Sequence, residues 1–271
     1  MRIGLALSGG GARGIAHLGV LKALDELDVK ISMIAGVSSG AIAGVFYAAG
    51  YKPDDILKLI KELSIFKIVR PVFGKIGLMH LEEVEKLYRQ HLGDNATFED
   101  LKLPVIISAT EMNEGVTAYF SSGELIKPLI ASSAVPILYQ PVLFEGKLLN
   151  DGGLLNNLPV DSLHNNCDIK IGVHVNPINH QANVTSFRGM LERTVMLAIN
   201  NNVKMRVHLC DLLLEPQELR YYRLVNFRKA DEIFEIGYRY TMQMEKYIRQ
   251  LLEKNGGTDD KSGDEISIKE K

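Results

Sequence analysis

A serine between two glycines is the residue of this chain whose surroundings most favour chemistry. Residues 36–40, GVSSG, have the pattern G-x-S-x-G and directly follow an apolar run that predicts a strand. In that pattern the serine lies on a sharp turn from strand to helix, so the positions two residues away on each side, Gly36 and Gly40, must be small. We therefore predict that Ser38 is a nucleophile. Ser39 is a rival that lacks the flanking glycines.

Glycines also fill the first loop, directly after the apolar run at residues 2–8. Residues 9–14, GGGARG, match the G-x-G-x-x-G pattern of dinucleotide sites. Such a site also needs an acid at the end of the next strand, where this chain has none, and a P-loop needs a Lys-Ser or Lys-Thr after its glycines. Two interpretations stay open, a structural turn or an oxyanion hole formed by the N–H groups of Gly9, Gly10 and Gly11.

A carboxylate must accept the serine proton if no histidine does, and no histidine lies in a diagnostic motif. We expect His17 to serve helix packing or to support the site indirectly. Asp151, followed by Gly152 and Gly153, is the best candidate, and a hairpin turn is the other interpretation of its Asp-Gly pair. An aspartate in water, with a pKa of about 3.9, is a weak base, so burial and an oxyanion hole must assist it. Three further acids lack the glycine context: Glu111, Glu114 and Asp161.

Alternating strand and helix patterns must position these residues. Strands are predicted at residues 2–8, 31–37, 104–109, 116–121 and 169–175, with 212–214 as the partner of the last. Residues 140–149 are also β-prone. Helices are predicted at residues 15–27, 39–50, 53–64, 80–92, 124–134, 187–208 and 230–254. This alternation predicts an α/β protein with a mostly parallel sheet that is covered on both faces.

The composition limits the class of protein. With 271 residues, of which 46% are hydrophobic, the chain can bury a large core and is not disordered as a whole. Its net charge of −2 provides no strong field for nucleic acid, which we do not expect as a partner. Two cysteines are too few for a disulfide framework and favour a reducing, cytoplasmic location. We expect no secretion signal and no membrane span.

The three motifs together resemble the patatin-like phospholipase family. The resemblance is carried by residues 9–14, 36–40 and 151–153 in that order, and it is supported by AHLGVL at 16–21 and ASSAVP at 131–136. It covers about residues 1–175 and implies a three-layer α/β/α sandwich with a mostly parallel central sheet. We expect one domain over residues 1–254, with a helical portion from 187, and a disordered polar tail over 255–271.

The resemblance also implies a function: hydrolysis of acyl esters of lipids without metal or cofactor. In the family pattern Ser38 is the nucleophile, Asp151 is the general base, and the N–H groups of Gly9, Gly10 and Gly11 hold the oxyanion. Arg13 and Gly14 belong to the first motif. We expect Arg13 to fix the loop, with an anionic lipid headgroup as its alternative partner.

Two expectations concern partners. A lipid or another acyl ester is the expected substrate, with peripheral membrane contact left open and no prediction of oligomeric state. Residues 65–79 mix bulky apolar and basic residues and predict either a lid that meets lipid or a buried connector. A non-catalytic regulator that senses an acyl group on the same fold is the alternative class of function.

Overall fold

Strands and helices alternate along the residues that the computed structural model describes, which are 1–65, 81–181 and 184–256. The strands are β1 (Ile3–Leu7), β2 (Ile31–Gly36), β3 (Val105–Glu111), β4 (Val116–Phe120), β5 (Val142–Phe144), β6 (Lys147–Asp151), β7 (Ile169–Val173) and β8 (Leu212–Leu214). The helices are α1 (Ala16–Glu26), α2 (Ser39–Ala48), α3 (Pro53–Ile65), α4 (Glu82–Leu92), α5 (Ile126–Ser132), α6 (Phe187–Lys204), α7 (Ala230–Gln243) and α8 (Glu245–Gly256).

One mixed sheet carries these strands in the order β5-β6-β3-β2-β1-β7-β8, and β4 pairs with β3 off this path. The central pairs are parallel, from β3 through β2, β1 and β7 to β8, and the predicted pairing of β7 with β8 is confirmed. The pairs of β3 with β4 and β6, and of β5 with β6, are antiparallel. The sheet is therefore parallel at its centre, as predicted, and antiparallel toward the end that supplies Asp151.

The β-prone stretch at residues 140–149 forms the hairpin of β5 and β6. Its turn lies at Glu145 and Gly146, which both have positive φ, at 48° and 75°. Positive φ at both central residues is typical of a tight hairpin turn. Asp151 instead ends β6 and begins a 3-10 turn, so the hairpin interpretation of its Asp-Gly pair is wrong.

Side chains of the central strands alternate between the two faces of the sheet, as the pleat requires. On β1, Leu5 and Leu7 belong to the larger apolar core, which also contains residues of α1, α2, α5 and α7. Ala6 belongs to a smaller core on the other face, with Val160 and with Val203 of α6. Helices thus lie on both faces, and 3-10 turns at Val160–Leu163 and Val207–Leu209 contribute much of the thinner layer.

Helices α1 and α7 pack closely because each has a glycine at their contact. A Cβ at Gly19 would collide with the carbonyl of Phe234, and one at Gly237 would collide with the carbonyl of Ala16. This contact secures the helix that follows the glycine-rich loop. It also explains how the C-terminal region, for which the sequence has no motif, supports the site.

Some predicted bounds change. The helix predicted over 230–254 is two helices, which meet at Met244, and the helix predicted over 187–208 ends at Lys204. The predicted lid at 65–79 lies, after residue 65, outside the described residues, as does the tail after residue 256. In the part of the chain that is described, no helix has both the length and the apolar character needed to cross a membrane.

Candidate active site

The turn between β2 and α2 holds Ser38 in a sparsely populated backbone conformation, with φ 53° and ψ −125°. Residues with side chains adopt such angles only where their surroundings enforce them. The backbone N–H of Ser38 donates to Ser132 Oγ at 2.9 Å, and Ser132 Oγ donates to the carbonyl of Ser108 at 2.7 Å. A buried hydrogen-bond chain from β3 and α5 therefore holds the strained turn.

The glycines of this turn have no room for a side chain. A Cβ at Gly36 would lie 2.6 Å from Ala41 Cα, and one at Gly40 would lie 2.6 Å from the carbonyl carbon of Leu7. These are contacts with backbone, which cannot rotate away as a flexible side chain can. The requirement for small residues around Ser38 thus comes from the close approach of α2 to β1 and from the tightness of the turn.

Ser38 and Asp151 meet although 113 positions separate them in the sequence. Ser38 Oγ donates to Asp151 Oδ2 at 2.7 Å, and the backbone N–H of Gly153 donates to Oδ1 of the same carboxylate at 2.8 Å. The main chain of Asp151 is fixed as well, because its N–H donates to the carbonyl of Ala134 and its carbonyl accepts from Thr110 Oγ1. Both carboxylate oxygens are therefore oriented before any substrate arrives.

Burial makes this carboxylate a stronger base than an aspartate in water. Asp151 is 7% exposed and Ser38 is 9% exposed. Loss of solvent raises the pKa of Asp151 from 3.8 to about 6, against the opposing effect of the hydrogen bonds from Ser38 and Gly153. The carboxylate stays ionised at neutral pH and can accept a proton from the serine hydroxyl.

Gly9 lies beside this pair, and Gly10 and Gly11 continue the same loop. A Cβ at Gly9 would be 3.1 Å from Ser38 Cβ, and Gly11 has a left-handed φ of 54° that favours glycine. The hydrogen bonds found among the described residues include none donated by the backbone N–H groups of Gly9, Gly10 or Gly11. Three consecutive donors, of which Gly9 is the one shown beside Ser38, are available for an anionic oxygen, as the oxyanion-hole interpretation requires.

Two asparagine side chains hold the backbone carbonyl of Gly9. The carbonyl of Gly9 accepts hydrogen bonds from Asn176 Nδ2 at 2.5 Å and from Asn157 Nδ2 at 3.4 Å. Asn176 is itself held, because Asn200 Nδ2 of α6 donates to its backbone carbonyl at 3.0 Å. The Gly9–Gly10 peptide, which carries one of the free N–H groups, is therefore anchored to buried amides.

Asn202, also on α6, joins the glycine-rich loop to the aspartate turn. Its Oδ1 accepts from the backbone N–H of Asn157 at 2.9 Å, and its Nδ2 donates to the carbonyl of Gly153 at 3.1 Å. One side chain thus contacts both Asn157, which holds Gly9, and Gly153, which holds Asp151. We call Asn157, Asn176, Asn200 and Asn202 the asparagine cluster; all four are buried.

Sequence reasoning missed the asparagine cluster, although one signal was present. Residues 200–202 are three consecutive asparagines inside a helix, and asparagine is a poor helix former. Such a run in the middle of a helix indicates that the amides have partners elsewhere. Ser132 lies in the segment 131–136 that supports the family resemblance, but no pattern showed that its hydroxyl accepts from the serine turn.

Arg13 is buried and joins the glycine-rich loop to residues near the C-terminal helices. Its Nε donates to the carbonyl of Tyr222 at 2.7 Å, and burial lowers the pKa of its guanidinium to about 10, so it stays charged at neutral pH. Gly14 is required by close packing, since a Cβ there would collide with the side chain of Ser39. The first motif therefore ends in residues that hold its shape.

His17 is buried and is not a partner in the side-chain hydrogen bonds of Ser38 and Asp151. Its Nε2 lies 2.7 Å from the carbonyl of Ser8, and burial lowers the pKa of the ring to about 4, so the imidazole is neutral. A carbonyl partner means that Nε2 carries the proton and donates it. The expectation that His17 serves packing or supports the site indirectly stays a prediction. Across the described ranges, no set of three or more His, Cys, Asp or Glu side chains is placed to hold a metal ion.

The fold and this geometry define a class of protein: an α/β/α sandwich whose strained serine, between a parallel strand and a helix, is hydrogen-bonded to a buried aspartate. A family profile described as patatin-like phospholipase matches residues 5–164, more than half of the chain. The chain belongs to the patatin-like phospholipase family.

Relatives by sequence agree with this assignment. An uncharacterized NTE family protein of Mycobacterium bovis is 36% identical over 179 residues, which cover 65% of this chain and 49% of that protein. Lysophospholipase NTE1 of Kluyveromyces lactis is 26% identical over 93% of this chain and 20% of its own length. The chain thus spans about half the length of the mycobacterial relative and a smaller share of the yeast enzyme.

Solved structures share the fold at low sequence identity. VipD from Legionella pneumophila superposes with a TM-score of 0.61 at 15% identity, over 91% of this chain and 67% of that chain. Human GIVD cytosolic phospholipase A2 gives a TM-score of 0.50 at 10% identity, over 94% of this chain and 59% of that one. These likenesses concern the fold alone.

Proposed function

We propose that this protein is a serine-dependent lipid acyl hydrolase that cleaves carboxylic esters through an acyl-enzyme on Ser38. The observation that carries the proposal is the 2.7 Å hydrogen bond from Ser38 Oγ to Asp151 Oδ2, beside the free N–H groups of Gly9–Gly11. A nucleophile, a base and an oxyanion site within one buried cluster are the parts that acyl transfer requires.

In the first half-reaction Ser38 Oγ attacks the ester carbonyl carbon while its proton passes to Asp151 Oδ2. The carbonyl π electrons move to the oxygen, whose charge the glycine N–H groups stabilise; each such donor typically contributes about 10²–10³-fold in rate. The bond to the alcohol then breaks, and the alcohol leaves with the proton that Asp151 held. The acyl group stays on Ser38.

In the second half-reaction water attacks the acyl-enzyme. Asp151 accepts a proton from the water as the new C–O bond forms, and the same N–H groups hold the oxyanion. Collapse of this intermediate releases the fatty acid, and Ser38 Oγ regains the proton from Asp151. The buried carboxylate thus serves both half-reactions without a histidine.

The substrate class that the relatives support is a phospholipid with an accessible acyl ester. One relative is named a lysophospholipase, and another, from Drosophila melanogaster, is named a neuropathy target esterase and is 32% identical over 60% of this chain. We propose lysophospholipid as the substrate to test first, because its single acyl chain has one ester to cleave.

The test uses purified protein with lysophosphatidylcholine and follows fatty-acid release by mass spectrometry. Ser38→Ala should abolish release and should also abolish labelling by a fluorophosphonate. Ser39→Ala is the matched control: it removes the neighbouring hydroxyl, which is buried without a hydrogen-bond partner in the described part of the chain. The Ser39→Ala variant should retain both fatty-acid release and fluorophosphonate labelling.

Three outcomes separate the alternatives. Labelling lost only in Ser39→Ala would contradict the choice of nucleophile. Full fatty-acid release by Ser38→Ala would contradict the acyl-enzyme mechanism. Absence of ester hydrolysis in the parent protein, on lysophospholipid and on a chromogenic short-chain ester, would favour the non-catalytic acyl-sensing class.

A further inference from the structure

A second segment is fastened directly to the glycine-rich loop. Residues 220–229, which we call the arginine loop, lie between β8 and α7. The N–H of Ala12 donates to the carbonyl of Leu224 at 2.7 Å, and Arg13 Nε donates to the carbonyl of Tyr222. A Cβ at Gly11 would collide with that same carbonyl of Leu224. The arginine loop therefore directly contacts the glycine-rich loop that forms the proposed oxyanion site.

The arginine loop is strongly basic in a chain of net charge −2. Its sequence, RYYRLVNFRK, has four cations and no acid. The side chains of Arg223 and Arg228 are exposed and make no hydrogen bond or ion pair with the described residues. Arg220 lies over the ring of Tyr221 at 5.0 Å, and Lys229 pairs with Glu232. Two cations next to the active site thus lack an internal partner in the described structure.

Apolar side chains alternate with these cations and are exposed. Tyr221 is 65% exposed, Val225 is 59% exposed and Phe227 is 40% exposed. Exposed aromatic residues interleaved with arginines are typical of segments that lie at a membrane interface, where rings reach the headgroup level and guanidinium groups bind phosphates. A soluble anion would account for the cations and would leave the apolar exposure unexplained.

The two acidic residues that line the cleft are paired with cations other than Arg223 and Arg228. An open cleft of about 570 Å³ beside the loop is lined by Arg223, Lys229, Glu218 and Glu232, among others. Glu218 pairs with Arg239 of α7 at 2.8 Å, and Glu232 pairs with Lys229. Arg223 is therefore the charged residue of this cleft without an ionic partner among the described residues.

We propose that the arginine loop docks this protein on an anionic phospholipid bilayer, with Arg223 and Arg228 binding headgroup phosphates and with Tyr221, Val225 and Phe227 entering the interface. The proposal rests on the proposed function, because a lipid ester as substrate brings the site to a bilayer. Docking through this loop places the glycine-rich loop, and with it Ser38, at the lipid surface.

The test measures flotation with phosphatidylcholine vesicles, with and without phosphatidylglycerol, in a Ser38→Ala background so that no lipid is consumed. The parent should bind anionic vesicles more tightly than neutral ones. Arg223→Gln with Arg228→Gln should lose about 30-fold in affinity for the anionic vesicles, because each cation near such a surface contributes roughly fivefold. Val225→Asp should weaken binding to both kinds of vesicle.

Lys246→Gln with Lys254→Gln is the matched control, since both lysines are exposed on α8 and the charge change is the same. This control should bind as the parent does, and circular dichroism should report the same fold for every variant. Equal binding of the parent to both vesicles, or full binding by the double arginine variant, would overturn the docking proposal. Because the Ser38→Ala background needs no turnover, loss of hydrolysis and loss of docking are measured separately.

Discussion

Replacing Asp151 with asparagine should stabilise the protein above about pH 6, although it removes the proposed base. The pKa of Asp151 is raised from 3.8 to about 6 in the folded protein, so the native state holds this proton more tightly than the unfolded chain does. An acidic group whose pKa is raised in the folded protein contributes stability that is fully present below its pKa in the unfolded chain. This stability is lost as the pH rises through its pKa in the folded protein. The loss is therefore confined to the interval between these two values.

The magnitude follows from the size of the shift. About 2 pKa units at 1.36 kcal/mol each give about 3 kcal/mol of unfolding free energy that the parent loses across this interval. Asparagine does not titrate there, and its amide can occupy the place of the carboxylate beside Ser38 and Gly153. The difference in unfolding free energy, variant minus parent, should thus increase by about 3 kcal/mol from about pH 3 to about pH 8.

The assay is urea unfolding of both proteins at several pH values, with the m-value as a check that both unfold in the same way. Taking the difference between variant and parent cancels the titration of distant groups, because effects of distant sites add. A difference that stays constant with pH would refute the raised pKa. A difference in unfolding free energy that falls as the pH rises would mean that folding lowers the pKa of Asp151.

The same pKa must appear in the kinetics of the parent enzyme. Because Asp151 has to be ionised to accept the proton from Ser38, kcat/KM should fall tenfold per pH unit below about pH 6. A soluble ester substrate keeps this measurement independent of lipid binding. A decrease in kcat/KM that begins only near pH 4 would mean that burial does not raise the pKa of this carboxylate.

Two further variants test how the site is held. Gly9→Ala should lower kcat by about 10²–10³-fold with the fold retained. The Cβ of the alanine would lie 2.5 Å from Asn157 Oδ1 and would displace the proposed oxyanion donors. An unchanged kcat would contradict the assignment of this loop as the oxyanion site. Asn202→Ala should lower kcat by roughly 10–100-fold and leave KM nearly unchanged, because it removes partners of Asn157 and Gly153 worth about 1–3 kcal/mol. A loss of unfolding free energy without a loss of kcat would show that Asn202 stabilises the fold and does not position the site.

The sequence was sufficient to predict the strand-to-helix turn that carries Ser38. G-x-S-x-G places a serine on a strand-to-helix turn because backbone sterics at Gly36 and Gly40 allow little else, and this requirement is visible within five residues. The parallel centre of the sheet likewise follows from the alternation of strands and helices. Even the pairing of β7 with β8 was predicted, since both are short apolar runs with a helix between them.

The remaining parts of the site depend on contacts between distant positions. Asn157 and Asn176 lie 148 and 167 positions after Gly9, so no local pattern relates an amide to the carbonyl that it holds. The bonds of Asn202 depend on where α6 packs, which periodicity does not specify. The hairpin interpretation of Asp151-Gly152 stayed open for a related reason: Asp-Gly and Glu-Gly can both turn, and only the position of Asp151 beside Ser38 decides between them.

The position of Asn202 on α6 has a consequence for heat tolerance. This helix is held largely by Met196, Asn200, Asn202 and Val203, and much of its surface faces solvent. A helix held by few contacts opens at a lower free energy than the whole domain. Opening α6 would withdraw the amides of Asn200 and Asn202 from the backbones of Asn176, Asn157 and Gly153, so we expect the proposed catalytic geometry to be lost to heat before the sheet that carries it melts.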